Sequence, residues 1–191
     1  MLNTVTAVAR RASSLALTVA LIATPGLANG TLADFSGGNL GSWTWGPPAI
    51  VENSGGNPGG WLHTSVVDTF APQLRTTGPS GFTGNWRGAG ATSFGFDLQT
   101  ISTNFPALRE ATLLLRAGGQ TVYRLGTETV PQPGTGWQHY DVPVPAASTT
   151  LPAGWTAQGS GSDDAIWNTV ITGVTEVVIF YGDPDFFYIF D

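Results

Sequence analysis

The stretch from Asn53 to Asp97 restricts the fold of this chain more than any other. It opens on Ser54-Gly55-Gly56-Asn57-Pro58-Gly59-Gly60-Trp61, continues through Thr69-Phe70-Ala71-Pro72 and Phe82-Thr83-Gly84-Asn85, and closes on Ser93-Phe94-Gly95-Phe96-Asp97. A turn built on double glycines feeds an aromatic strand, a proline stops it, and a second aromatic strand returns after a loop. Glycine supplies the backbone freedom such turns need, while Trp, Phe and Tyr suit a half-buried pleated surface. That is the plan of one β-sheet crossing to another in a sandwich.

The rest of the chain keeps the same grammar. It holds 26 Gly and 13 Pro among 191 residues, with 10% charged and 11% aromatic side chains, so it reads as one all-β domain rich in loops and too apolar to be disordered. Leu32–Phe35, Trp43–Trp45, Gly60–Asp68, Ser93–Leu98, Ala111–Ala117, Thr121–Leu125, Trp137–Val142 and Val174–Tyr181 read as strands, with a tight hairpin at Gly118-Gly119. One short helix is expected at about 163–171, capped by Ser162 or Asp163, with Ile166, Trp167, Val170 and Ile171 on its apolar face and Gly173 at its end. Asp185–Asp191, containing Phe186-Phe187-Tyr188-Ile189-Phe190, reads as a last apolar strand.

Residues 1–28 read as a secretory signal peptide. Arg10 and Arg11 give the positive start, Ser14–Ala23 the apolar core, and Gly26-Leu27-Ala28 a small-x-small cleavage site after Pro25. The apolar run is shorter than the roughly twenty residues a bilayer span needs, so no membrane span is expected once the leader is removed. The mature chain, 29–191, then works as a secreted or cell-surface protein. It has no cysteine, which excludes disulfides, thiolate metal sites and a cysteine nucleophile, and which fits a bacterial exported sandwich better than a small animal extracellular module. All seven basic residues are arginines, and without the two in the leader the chain carries five against 13 acids. That balance disfavours nucleic acid and anionic membrane as partners, and no nucleic-acid partner is expected.

Little in the sequence points to catalysis. Gly78-Pro79-Ser80-Gly81-Phe82 fails the nucleophile-elbow pattern at its last position. Glu52, Glu110, Glu128 and Glu176 show no spacing that pairs them as glycosidase carboxylates. The absence of lysine removes Schiff-base and phosphate-loop chemistry, and Gly55-Gly56-Asn57-Pro58-Gly59-Gly60 opens a strand, so it reads as a turn and not as a phosphate cradle. His63 stands in a strand with no metal-spaced partner and reads as a sheet-surface residue. No cofactor is expected beyond a structural calcium ion, for which Asp34 and Asp68, each at a strand end beside a loop, are the candidate ligands; the competing reading, two solvated turn aspartates, is the commoner case.

Trp43 and Trp45 point to one face of their strand and form either a sugar-stacking platform or, more commonly, a hydrophobic plug. With Trp61 and Trp86, both near glycine loops, they are the candidate ligand-binding residues.

The order Gly-Gly-Asn-Pro-Gly-Gly, Phe70-Ala71-Pro72, Phe82-Thr83-Gly84-Asn85 and Ser93-Phe94-Gly95-Phe96-Asp97-Leu98 resembles the laminin IV type A (laminin B) domain, and the likeness extends from Asp34 to Asp191. The segment Gly136–Val144, the stretch around Trp155, the helix and Val174–Tyr181 resemble that family's closing block. The resemblance implies a jelly-roll β-sandwich similar to carbohydrate-binding modules, non-catalytic and used in extracellular architecture. The family's closing Leu-Asp-Asn-Val-like strand belongs after Asp191, so the domain is expected to lack its final strand. The leading expectation is a secreted, non-catalytic interaction or structural module of the cell surface or matrix, with a glycan or a surface or matrix protein as partner. Two alternatives stand beside it: a carbohydrate-binding module that stacks sugars on tryptophan, and a glycan hydrolase or lyase with two carboxylates across a cleft.

Overall fold

The computed structural model describes residues 15–20, 31–45, 49–57, 59–64, 73–102, 109–126 and 129–181. The strands are β1 (Leu15–Ala20), β2 (Leu32–Ala33), β3 (Trp43–Trp45), β4 (Ala49–Gly56), β5 (Gly59–Thr64), β6 (Gln73–Thr77), β7 (Ser93–Thr100), β8 (Ala111–Ala117), β9 (Gln120–Arg124), β10 (Gln138–Pro143), β11 (Thr156–Gln158) and β12 (Glu176–Tyr181), with one helix, α1 (Asp163–Ile171), between the last two.

They form an all-β sandwich of two antiparallel, six-stranded sheets. The first runs β10-β7-β1-β5-β4, with β2 paired to β1; the second runs β11-β9-β8-β12-β6-β3. Alternation decides which side chains fill the space between them. Phe94, Phe96 and Leu98 of β7, Leu62 of β5, and Tyr140 and Val142 of β10 meet Leu74 of β6, Leu113 and Leu115 of β8, Val122 of β9, and Val177 and Ile179 of β12 in one buried cluster. The Phe96 ring stacks on Tyr140 at 5.0 Å.

The strand orders and registers align the two sheets rank by rank. Only residues 46–48 separate the end of β3 from the start of β4, so these edge strands lie over each other. Counting inward from that edge, β6 and β5, β12 and β1, β8 and β7, and β9 and β10 hold equal ranks in their two sheets. The chain crosses from sheet to sheet between equal ranks four times, at β3 to β4, β5 to β6, β7 to β8 and β9 to β10. The pairings Trp45↔Leu74, Ala49↔Thr64, Leu15↔Thr100 and Tyr181↔Ala111 put all four crossings at one end of the sandwich.

The helix follows the sequence closely. Ser162 caps it by accepting the Ala165 N–H at 3.4 Å, Asp163 and Asp164 sit in the first turn where the dipole favours acids, and Ile166, Trp167, Val170 and Ile171 are buried. The turn at Gly118-Gly119 joins β8 to β9, both glycines with positive φ.

Five strands depart from expectation. β2 stops at Ala33, because Phe35 takes a left-handed φ of 51°. β4, β6 and β11 are not among the strands the sequence suggests. The segment Leu15–Ala20, inside the stretch that reads as a leader, stands between β5 and β7, with Leu17 opposite both Leu62 and Leu98. The expected strand at Asp185–Asp191 lies outside the described residues, as does the cleavage region around Ala28. Among the described residues no helix is long and apolar enough to cross a membrane.

Candidate functional site

Of the four tryptophans singled out for stacking, three are core residues. Trp43 is 2%, Trp45 8% and Trp86 3% exposed, which leaves no ring face for a sugar and makes the Trp43–Trp45 pair a plug. Trp43 meets the Phe82 ring edge-on at 5.1 Å, and Trp86 stacks on Phe94 at 6.0 Å while its Nε1 donates to the Phe82 carbonyl. Asp34 is engaged locally, its Oδ1 accepting the Ser36 N–H at 3.0 Å, and Asp68 lies outside the described residues. Among the described residues no group of three or more His, Asp and Glu converges to hold a metal ion.

Trp61 is different. On β5 the inward residue is Leu62, so Trp61 and His63 share the outer face of the first sheet, their rings stacked at 4.6 Å. The hairpin that delivers them is glycine-dependent. A Cβ on Gly56 would lie 2.2 Å from the Gly60 carbonyl oxygen, and one on Gly60 would lie 2.6 Å from the carbonyl oxygens of both Glu52 and Phe35. The register between β4 and β5 shifts between Glu52 and Gly56. Within that irregularity the Ser54 and Gly55 carbonyls are left for side chains, accepting from Trp61 Nε1 and Trp137 Nε1, each at 3.0 Å. Trp137, just before β10, meets Trp61 edge-on at 6.1 Å. Both indoles are half-buried and hydrogen-bonded to one backbone turn, so their rotamers are set before any ligand arrives.

A polar strip runs beside this aromatic pair. His63 Nε2 lies 3.1 Å from Glu52 Oε1, and His139 Nδ1 lies 3.1 Å from Asp97 Oδ1. His139 and Asp97 are direct cross-strand partners on β10 and β7. A carboxylate oxygen accepts, so each imidazole presents an N–H to its acid and is held in one orientation. Asp97 is only 6% exposed, and Asn57 Nδ2, from the β4–β5 turn, reaches it at 3.4 Å. His63 Nδ1 is buried with no partner among the described residues.

The chain has just two histidines, and each follows a tryptophan by two residues: Trp61-Leu62-His63 and Trp137-Gln138-His139. The fold brings both Trp-x-His units to one sheet face and gives each histidine a carboxylate. The sequence reading does not single out Trp137, His139 or Asp97 as site residues, and it takes Glu52 only as a catalytic carboxylate without a partner. The repeated Trp-x-His spacing was the signal that would have found them.

Together these residues make a shallow face with two fixed indoles and two acid–imidazole pairs at its sides. Indoles take the C–H faces of a sugar ring, and carboxylate and imidazole groups take its hydroxyls. The class of protein that fold and face define is an all-β sandwich with an aromatic and histidine-lined sheet surface. Compared with family models, curated proteins and solved structures, the chain matches none of them.

Proposed function

We propose that this chain is an exported, non-catalytic module of the cell surface or extracellular matrix that binds a glycan on the outer face of its first sheet. The observation that carries the reading is the preset pair Trp61 and Trp137, both indole N–H groups tied to adjacent carbonyls at Ser54 and Gly55. Loss of side-chain freedom is a main cost of binding, and here it is met on folding. Export rests on the leader-like pattern of residues 1–28. The ordered motifs that resemble the laminin IV type A domain agree with a jelly-roll module of this kind.

The test is retention of the protein on a panel of polysaccharides, read alongside tryptophan emission, with Trp137→Ala as the diagnostic variant. We expect one glycan class to bind. Trp137→Ala should then lose at least roughly tenfold in affinity, about 1.4 kcal/mol, while its thermal midpoint stays close to the parent's. Binding to no polysaccharide, or undiminished binding by the variant, refutes the proposal.

A further inference from the structure

β1 occupies a slot that another part of the chain is placed to fill. β5 and β7 both pair with it antiparallel and so run parallel to one another, one strand's width apart on either side. Six register pairs, from Leu15↔Thr100 to Ala20↔Gly95, join β1 to β7, and the fully buried Leu62, Phe96 and Leu98 lie at positions opposite it. If residues 1–28 leave as a leader, β5 and β7 are separated by roughly 9–10 Å, twice the spacing of paired strands, and cannot pair with each other. The core beneath them would then open to water. The same gap would divide the Trp61–His63 half of the ligand face from the Asp97–His139 half.

The topology says where a replacement comes from. At the end of the sandwich where Tyr181 pairs with Ala111, each of the four crossings between the sheets links strands of equal rank, whereas the crossings β2 to β3, β6 to β7 and β10 to β11 do not. β12 finishes at that end, where Tyr181 pairs with Ala111, and its rank partner in the opposite sheet is the β1 slot. A chain leaving β12 and following the rule of the other four crossings would enter the first sheet at the Leu15–Thr100 end and run in the direction of β1. Gly182-Asp183-Pro184-Asp185 follows β12 directly, and four residues at about 3.3 Å each reach roughly 13 Å, enough to cross the ~10 Å between packed sheets. Next comes Phe186-Phe187-Tyr188-Ile189-Phe190, apolar and aromatic as a strand covered on its core face must be. The links 65–72 and 101–110 join β5 to β6 and β7 to β8, each from the first sheet to the second at this same end of the sandwich.

We propose that the slot between β5 and β7 is the docking site of Phe186–Phe190 of this same chain, and that Leu15–Ala20 holds it only until the leader is removed. This rests on the export reading, and on exchange it makes the ligand face continuous.

Because the chain lacks cysteine, disulfide trapping reports the neighbour directly. Gln99→Cys on β7 is combined singly with Phe187→Cys, Tyr188→Cys or Ile189→Cys, and separately with Ala16→Cys. Adjacent antiparallel residues lie about 4.5–5.5 Å apart at Cα, within disulfide reach. In the secreted product, its N-terminus read by mass spectrometry, an intrachain bond from Gln99→Cys to one of the three C-terminal positions is expected. The unprocessed chain should instead form the bond to Ala16→Cys. A second arm breaks β1 by Leu17→Pro in the full chain, where the C-terminal bond should appear without any cleavage. If mass spectrometry finds residues 1–28 retained, the export reading fails, and the Leu17→Pro arm decides the slot alone. Failure of all three C-terminal positions to bond, a disulfide-linked dimer in which a second copy fills the slot, or a Leu17→Pro chain that no longer folds each overturns the proposal.

Discussion

Gly60→Ala is the sharpest probe of the hairpin that carries the site. Gly60 lies where β4, β5 and the backbone at Phe35 come together, and a Cβ there would stand 2.6 Å from the carbonyl oxygens of Glu52 and Phe35 and 2.7 Å from the Phe35 carbonyl carbon. All three are backbone atoms, so no side chain can swing aside. Restoring the 3.4 Å of ordinary contact needs a displacement of about 0.8 Å at Glu52 and at Phe35. Overpacking of this kind costs about 2–3 kcal/mol. For a chain of this size that lowers the thermal midpoint by roughly 4–12 °C. Because Trp61 is the next residue, the same shift pulls its indole away from the Ser54 carbonyl. Thermal unfolding followed by far-UV and near-UV circular dichroism measures both effects, the near-UV band reporting the packing of the tryptophans. Gly134→Ala is the control: its φ is +88°, with nothing within 4 Å of the added Cβ. It should therefore cost only the ~1–2 kcal/mol of a left-handed residue. A Gly60→Ala midpoint no lower than that of Gly134→Ala would refute the close approach of β4, β5 and Phe35, and with it the geometry assigned to Trp61.

Trp86→Ala removes a buried ring stacked on Phe94 and should cost about 3–5 kcal/mol, read as a fall in urea midpoint far larger than that of Trp137→Ala. Ser162→Ala removes the cap of α1 and should cost about 1 kcal/mol by the same assay, with glycan retention unchanged because the helix takes no part in the ligand face.

How much of this could be read beforehand depends on what each strand's own residues say. β5, β7, the β8–β9 hairpin and α1 are legible because their apolar positions repeat with the period of the element they form and their ends carry glycine or a capping serine. β4 is not. Asn53, Ser54 and Gly55 are poor strand formers without a register partner on β5, and the strand is held by the pairing of Ala49–Glu52 and Gly56 with β5, which the local sequence does not contain. β6 hides for another reason. Its inward positions are Leu74 and Thr76, and the fully buried Thr76 hydroxyl is matched by Ser42 Oγ at 2.6 Å, a long-range contact that makes a polar residue acceptable in the core. The tryptophans show the limit of alternation. Trp43-Thr44-Trp45 and Trp61-Leu62-His63 have the same period, yet the first turns its indoles inward and the second turns Leu62 inward. Periodicity separates two faces without saying which meets the core; the histidine on the Trp61 face is what marks it as the wet one.

The place of β12 has a consequence for how the chain comes to be folded. Val178 pairs with Arg75 on one side and Leu114 on the other, so β12 joins segments from distant parts of the chain. Among the described strands, β3 and β6 connect to β8, β9 and β11 only through it. Until residues 176–181 have left the ribosome, that sheet exists as two separate fragments, neither with its full set of neighbours. Pairings of such large sequence separation raise contact order and slow folding toward the millisecond-to-second range. A sheet whose two parts meet only through β12 cannot close hairpin by hairpin: β3 and β6 wait with an unpaired edge for a strand far along the chain.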